Sequence, residues 1–137
     1  MKVLATMWRQ FVPEDKCFKI CSMCSTKWET RDDFISDPLL FINGYQAHFE
    51  RLGQSLFYFT HQKEGCFSTI AIKAKEFLSL YSGKKYKERR TNKEDCPQYC
   101  FEKEQLDRCD AFCECAFNRE IIEIIKTNQN NNKLLKN

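Results

Sequence analysis

Nine cysteines in 137 residues, gathered in two groups, constrain this chain more than any other feature. Cys17, Cys21, Cys24 and Cys66 form a front set, and Cys96, Cys100, Cys109, Cys113 and Cys115 a back set. Grouped thiols that share a centre force distant segments to fold back on one another. The pattern Cys21-x2-Cys24 is followed, far along the chain, by His61-x4-Cys66, which amounts to three thiolates and one imidazole at metal-ligand spacing. An odd count excludes complete disulfide pairing. The apolar run at the N-terminus is interrupted by Arg9 and is too short for a signal segment. No stretch is long enough to span a membrane. The expectation is therefore a cytoplasmic protein, whose reduced thiols favour metal over disulfides.

Composition bears on the core and on partners. Hydrophobic residues at 42%, a third of them aromatic by the 14% figure, are enough to pack a single domain or a small domain with an appendage. A net charge of +3 does not by itself indicate nucleic acid. The charge is uneven, however. Lys84, Lys85, Lys87, Arg89 and Arg90, with Tyr86 among them, form a basic run that is a candidate phosphate contact. The preferred reading of this run is a solvated linker. Another protein is preferred as partner over nucleic acid, and no membrane is expected.

The predicted fold class is α+β, with the boundaries 1–81, 82–95, 96–127 and 128–137. Residues 1–16 read as an irregular arm carrying Trp8, Phe11 and Pro13. Thr30 and Asp33 suggest a capping box opening a short helix that Pro38 stops. Leu39–Phe49, Ser55–His61 and Phe67–Ile72 read as a three-stranded antiparallel meander, with a bulge at Gly44 and a turn at Gly53. Lys73–Tyr81 reads as a helix with Ala74, Phe77, Leu78 and Tyr81 on one stripe. Residues 82–95 read as the linker. Residues 96–127 read as a cysteine-bearing helical hairpin, its second helix running from about Ala111 to Thr127 with Phe117, Ile121, Ile124 and Ile125 on one face. The Asn- and Lys-rich tail 128–137 is expected to be disordered.

At the front, Cys21, Cys24, His61 and Cys66 are the candidate ligands, two from each knuckle of a zinc-ribbon-like hairpin. Cys17 is the substitute for His61 in an all-cysteine set, and His48 ranks below it. At the back, Cys96-x3-Cys100 and Cys109-x3-Cys113 place sulfurs four residues apart, which share a face on a helix. Two antiparallel helices would then offer four thiolates to one centre. Zinc is preferred there, an iron–sulfur cluster is the second choice, and disulfides or plain buried thiols the third. The twin spacing, and nothing else in the chain, also resembles the disulfide-stapled hairpins of small mitochondrial import chaperones. Cys115 is either the real fourth ligand or a free thiol, and both it and Cys17 are candidate redox thiols.

Several motifs carry a wider resemblance: Cys21-x2-Cys24-x3-Trp28-Glu29-Thr30-Arg31, Asp37-Pro38, Gly44-Tyr45-Gln46, Phe59-Thr60-His61-x4-Cys66 and Cys113-Glu114-Cys115-Ala116 with Arg119-Glu120. On these the chain resembles an uncharacterised family of small cysteine-rich, zinc-ribbon-like proteins of anaerobic bacteria. The resemblance implies an intracellular metal-binding protein and carries no activity. The family prefers Gly after the cysteine matching Cys66, where this chain has Phe67. An enzyme is the least favoured class: there is no nucleophile–base motif, phosphate loop or nucleotide fingerprint. A structural-zinc binding or regulatory module is preferred, with one or two zinc ions. An iron–sulfur carrier or thiol redox sensor built on the back cysteines is the alternative.

Overall fold

The computed structural model describes residues 17–136, and side chains as far as residue 131. The arm expected over residues 1–16 lies outside the described residues. The architecture is α+β: a two-stranded antiparallel sheet, a three-stranded antiparallel sheet and a long C-terminal helix. Strands β1 (Lys19–Ile20) and β2 (Lys27–Trp28) pair as a short hairpin, with Lys19 opposite Trp28. Helix α1 (Arg31–Ser36) follows. The Thr30 hydroxyl accepts the Asp33 amide at 3.0 Å, and the Asp33 carboxylate accepts the Thr30 amide at 3.3 Å, so the expected capping box is present. Thr30→Ala should cost about 1 kcal/mol; a urea titration with an unshifted midpoint would count against this role.

The meander runs β3 (Leu40–Gln46), β4 (Leu56–His61) and β5 (Thr69–Lys73), in that spatial order. Its register explains why a histidine sits inside. Side chains of a strand alternate between faces. In β4, Phe57 and Phe59 point into the core, and the same alternation carries His61 inward behind them. In β3 the register slips between Ile42 and Gly44, opposite Phe59 and Tyr58, which is the expected bulge. A Cβ on Gly44 would come within 3.2 Å of the Tyr58 Cβ, so the close strand approach requires glycine there.

Four expectations are corrected. The segment after β5 is a 3-10 helix (Ala74–Leu80) rather than an α-helix. With three residues per turn, Ala74, Phe77 and Leu80 line up toward the core, and Leu78 is left exposed. The helical hairpin over 96–127 is not formed. Apart from a single 3-10 turn at Tyr99–Phe101, residues 96–115 are irregular, and helix α2 (Ala116–Lys136) begins after the last cysteine. Phe117, Ile121 and Ile125 of the expected stripe are buried, together with Asn118, Arg119, Ile122 and Gln129, but Ile124 is only half-buried. Finally, residues 128–136 continue this helix, and the Gln129 side-chain oxygen accepts the Ile42 amide of the bulged strand at 3.1 Å.

One continuous core joins the elements. It includes Trp28, Phe34, Phe57, Phe59 and Phe77 from the front, and Phe117, Ile121, Ile122 and Ile125 from α2. Of the basic run, Lys84, Lys85 and Lys87 stay exposed as expected, while Arg89 and Arg90 are half-buried. The Glu114 amide donates to the Glu88 carbonyl at 2.9 Å, and Arg89 pairs with Glu114 at 2.6 Å. Arg90 pairs with Glu88 and Asp95, while Lys84 and Lys85 lie over the Tyr86 and Phe117 rings. The side chains of Arg89 and Arg90 are thus engaged by carboxylates rather than offered to phosphate. Among the described residues no helix is long and apolar enough to cross a membrane.

Candidate metal centre

Two turns build the front site. In the first, the Ser25 amide donates to the Cys21 carbonyl and the Cys21 amide to the Thr26 carbonyl, each at 2.8 Å, closing the β1–β2 hairpin around Cys21 and Cys24. In the second, the Cys66 amide donates to the Lys63 carbonyl at 2.9 Å, and the His61 amide to the Ser68 carbonyl at 2.9 Å. Gly65 supplies the positive φ of +85° that this turn needs.

The turns bring Cys21, Cys24, His61 and Cys66 together, with one ligand atom from each lying within 4.8 Å of all the others. Cys21 Sγ is 3.6 Å from Cys66 Sγ. His61 Nδ1 is 3.6 Å from Cys24 Sγ and 3.5 Å from Cys66 Sγ. A tetrahedral ion with bonds of about 2.3 Å to sulfur and about 2.0 Å to nitrogen implies edges of about 3.8 Å between sulfurs and about 3.5 Å between sulfur and nitrogen. The observed separations fit that geometry, so the site can hold a metal ion. The expected substitutes are not part of it: Cys17 is outside the converging set, and His48 Nδ1 accepts the Arg51 amide at 3.0 Å.

The two turns repeat one local design that the spacing of ligands did not disclose. After Cys24 come Ser25, at φ +66°, and Thr26, whose hydroxyl is 3.1 Å from the Cys24 sulfur. After Cys66 come Phe67, at φ +50°, and Ser68, whose hydroxyl is 3.2 Å from the Cys66 sulfur and 3.4 Å from that of Cys21. The signal was there to find: a hydroxyl residue stands two places after the last cysteine of each turn. Lys63 Nζ donates to the Thr26 hydroxyl at 3.2 Å, placing a positive charge one hydroxyl away from the sulfurs. Burial raises the Cys21 pKa. The Ser68 hydroxyl, the amides of Cys24 and Met23 and the His61 ring outweigh it and hold the thiol at about 5. The thiolate that a metal requires is thus favoured by its surroundings.

Phe67 occupies a left-handed conformation that costs an L-residue about 1–2 kcal/mol. Its side chain is 64% exposed, so little packing offsets that cost. Phe67→Gly should stabilise the metal-bound protein by about 0.5–1 kcal/mol, after allowing for the extra freedom of glycine in the unfolded chain. A thermal melt in which Tm fails to rise would contradict the assignment of strain.

The back cysteines are arranged differently from the expected set. Cys113 and Cys115 are buried, with Cys100 and Cys109 packed beside them around Ala111 and Leu52; Cys96 is not in this group. Among the described residues, Cys21, Cys24, His61 and Cys66 are the only ligand atoms of three or more such side chains that converge. No such convergence is found for Cys96, Cys100, Cys109 and Cys113, the four expected from their spacing. Cys100 packs against the buried cluster that contains Cys115. Cys113 Sγ instead accepts the amides of Arg90 and Cys115, at 3.1 and 3.4 Å.

No family profile, curated protein or solved structure matches the chain.

Proposed function

We propose that this chain is a structural zinc module that presents a binding surface to another protein. The observation that carries this reading is the convergence of three cysteine sulfurs and His61 Nδ1 at tetrahedral spacing. Four protein ligands close the coordination shell, whereas catalytic zinc keeps a position open for water or substrate. Three thiolates and a neutral imidazole suit zinc better than an iron–sulfur cluster, which takes four thiolates or a two-histidine variant. Cys21 and His61 are buried, and Trp28 lies edge-on to the imidazole at 5.1 Å, so the ion would also pin aromatic packing.

The turns that build the site leave Met23 and Phe67 67% and 64% exposed. Large apolar side chains exposed on short rigid loops suit a protein partner better than phosphates. The resemblance to small cysteine-rich proteins of anaerobic bacteria is in keeping with a reduced, metal-bound state.

Purification without oxygen, followed by metal analysis and a visible spectrum, tests the reading. One equivalent of zinc per chain and no visible absorption is the expected result. A brown protein containing iron and sulfide would overturn it.

A further inference from the structure

Arg119 poses a problem of charge that the metal site does not solve. Its side chain is 0% exposed, and among the described residues none of the ion pairs supplies it with a carboxylate. Nη1 donates to the neutral Gln105 carbonyl, and the guanidinium lies over the Tyr45 ring at 5.0 Å. Nε has no partner. A buried guanidinium needs a counter-charge. The group in position to provide it is Cys100, whose sulfur is 3.6 Å from Nη2. Cys115, just before α2 and 3% exposed, belongs to the buried cluster against which Cys100 packs. Of these thiols, the one beside the Arg119 guanidinium, Cys100, is where a negative charge is favoured. Cys100 is half-buried, so a small oxidant can reach it, while Cys115 is buried.

We propose that Cys100 and Cys115 form a redox-active thiol pair, with Cys100 as the thiolate that reacts with a hydroperoxide and Cys115 as the thiol that resolves it. In the first step the Cys100 sulfur attacks the peroxide. The O–O bond breaks, one oxygen stays on sulfur as a sulfenic acid, and the other leaves and takes a proton from water. In the second step the Cys115 sulfur attacks the Cys100 sulfur. The S–O bond breaks, and hydroxide leaves as water with the Cys115 proton. The two sulfurs lose two electrons, which the peroxide gains. The disulfide has no negative charge, so oxidation leaves Arg119 without its counter-ion and loosens the junction of residues 99–105 with α2. The reactive thiolate favours the same assignment on chemical grounds. The Cys115 hydrogen bond is the largest influence lowering the Cys100 pKa, to about 6; burial opposes it, and Arg119 and Arg89 assist it.

The test uses the full chain, purified without oxygen and with its metal bound. It is treated with one equivalent of hydrogen peroxide, its remaining thiols are alkylated, and links are mapped by peptide mass spectrometry. The expected first product is a Cys100–Cys115 disulfide, with metal content unchanged. In Cys115→Ser, dimedone should capture a sulfenic acid at Cys100. Peroxide should consume Cys100 roughly tenfold faster than it consumes glutathione at neutral pH. A first link between other cysteines, no link at all, or Cys100 reacting no faster than glutathione would overturn the proposal. So would a second equivalent of metal that Cys115→Ser loses. The mapping on the unaltered chain stands even if the variant does not fold.

Discussion

Chelating the metal, or replacing Cys24 by serine, should unfold the front of the molecule. The β1–β2 hairpin has only two residue pairs and cannot stand alone in water. Without an ion, three thiol groups and an imidazole remain crowded between its turn and the turn before β5. Structural zinc sites supply about 10–16 kcal/mol of apparent binding free energy, which appears as folding free energy because the unfolded chain has no preformed site. That exceeds or matches the whole stability of about 5–15 kcal/mol typical of a domain. The expected observation is loss of cooperative thermal unfolding in the chelated protein, with restoration when zinc is added back. Cys24→Ser should behave the same way. An apo protein that melts at the temperature of the metal-bound form would refute a structural role for the site.

Phe34→Ala should cost about 3–5 kcal/mol. Phe34 is fully buried on α1, and its ring centroid lies 4.9 Å from that of Phe59, 5.0 Å from Trp28 and 5.4 Å from Phe18. It therefore fills the space between the metal-bearing hairpin and the three-stranded sheet. The effect should extend to the metal, because Trp28 touches both Phe34 and His61. A competing chelator should remove zinc from the variant at lower concentration than from the parent chain. Leu78→Ala is the control. Leu78 would face the core on an α-helix, but on the observed 3-10 turn it is exposed, and its loss should cost less than about 0.5 kcal/mol. If the two substitutions are equally damaging in urea melts, the packing described here is wrong.

The front of the chain was legible because three independent signals coincide in it. Ligand spacing, the period-two pattern of β4 that turns His61 inward, and the Thr30–Asp33 cap all point to one arrangement. The stripe over residues 73–81 was misread because Ala74 and Phe77 fit a three-residue and a 3.6-residue period equally well. The choice fell to Leu78 or Leu80, which only the packing against Phe77 and its neighbours decides. At the back, a spacing of four is compatible with a helix and equally with successive irregular turns. Gln98, at φ +64°, interrupts any helix between Cys96 and Cys100. The solvated reading holds for Lys84, Lys85 and Lys87 but not for Arg89, because nothing near it in the chain announces its partner Glu114. The Asn-rich tail has poor helix propensity, and its helix is held by a tertiary bond from Gln129 that no local pattern contains.

That bond orders events during synthesis. Every ligand of the metal site has been made once Cys66 emerges, and chains fold from the N-terminal side as they appear, at about 5–20 residues per second. The Ile42 amide, at the slip in β3, must wait for Gln129, which is made several seconds later at such rates. A nascent chain could therefore take up its ion while the sheet beside it is still unfinished. Messenger truncated before the codon for residue 129 would yield a metallated protein with an open seam along β3, exposed to quality-control proteases.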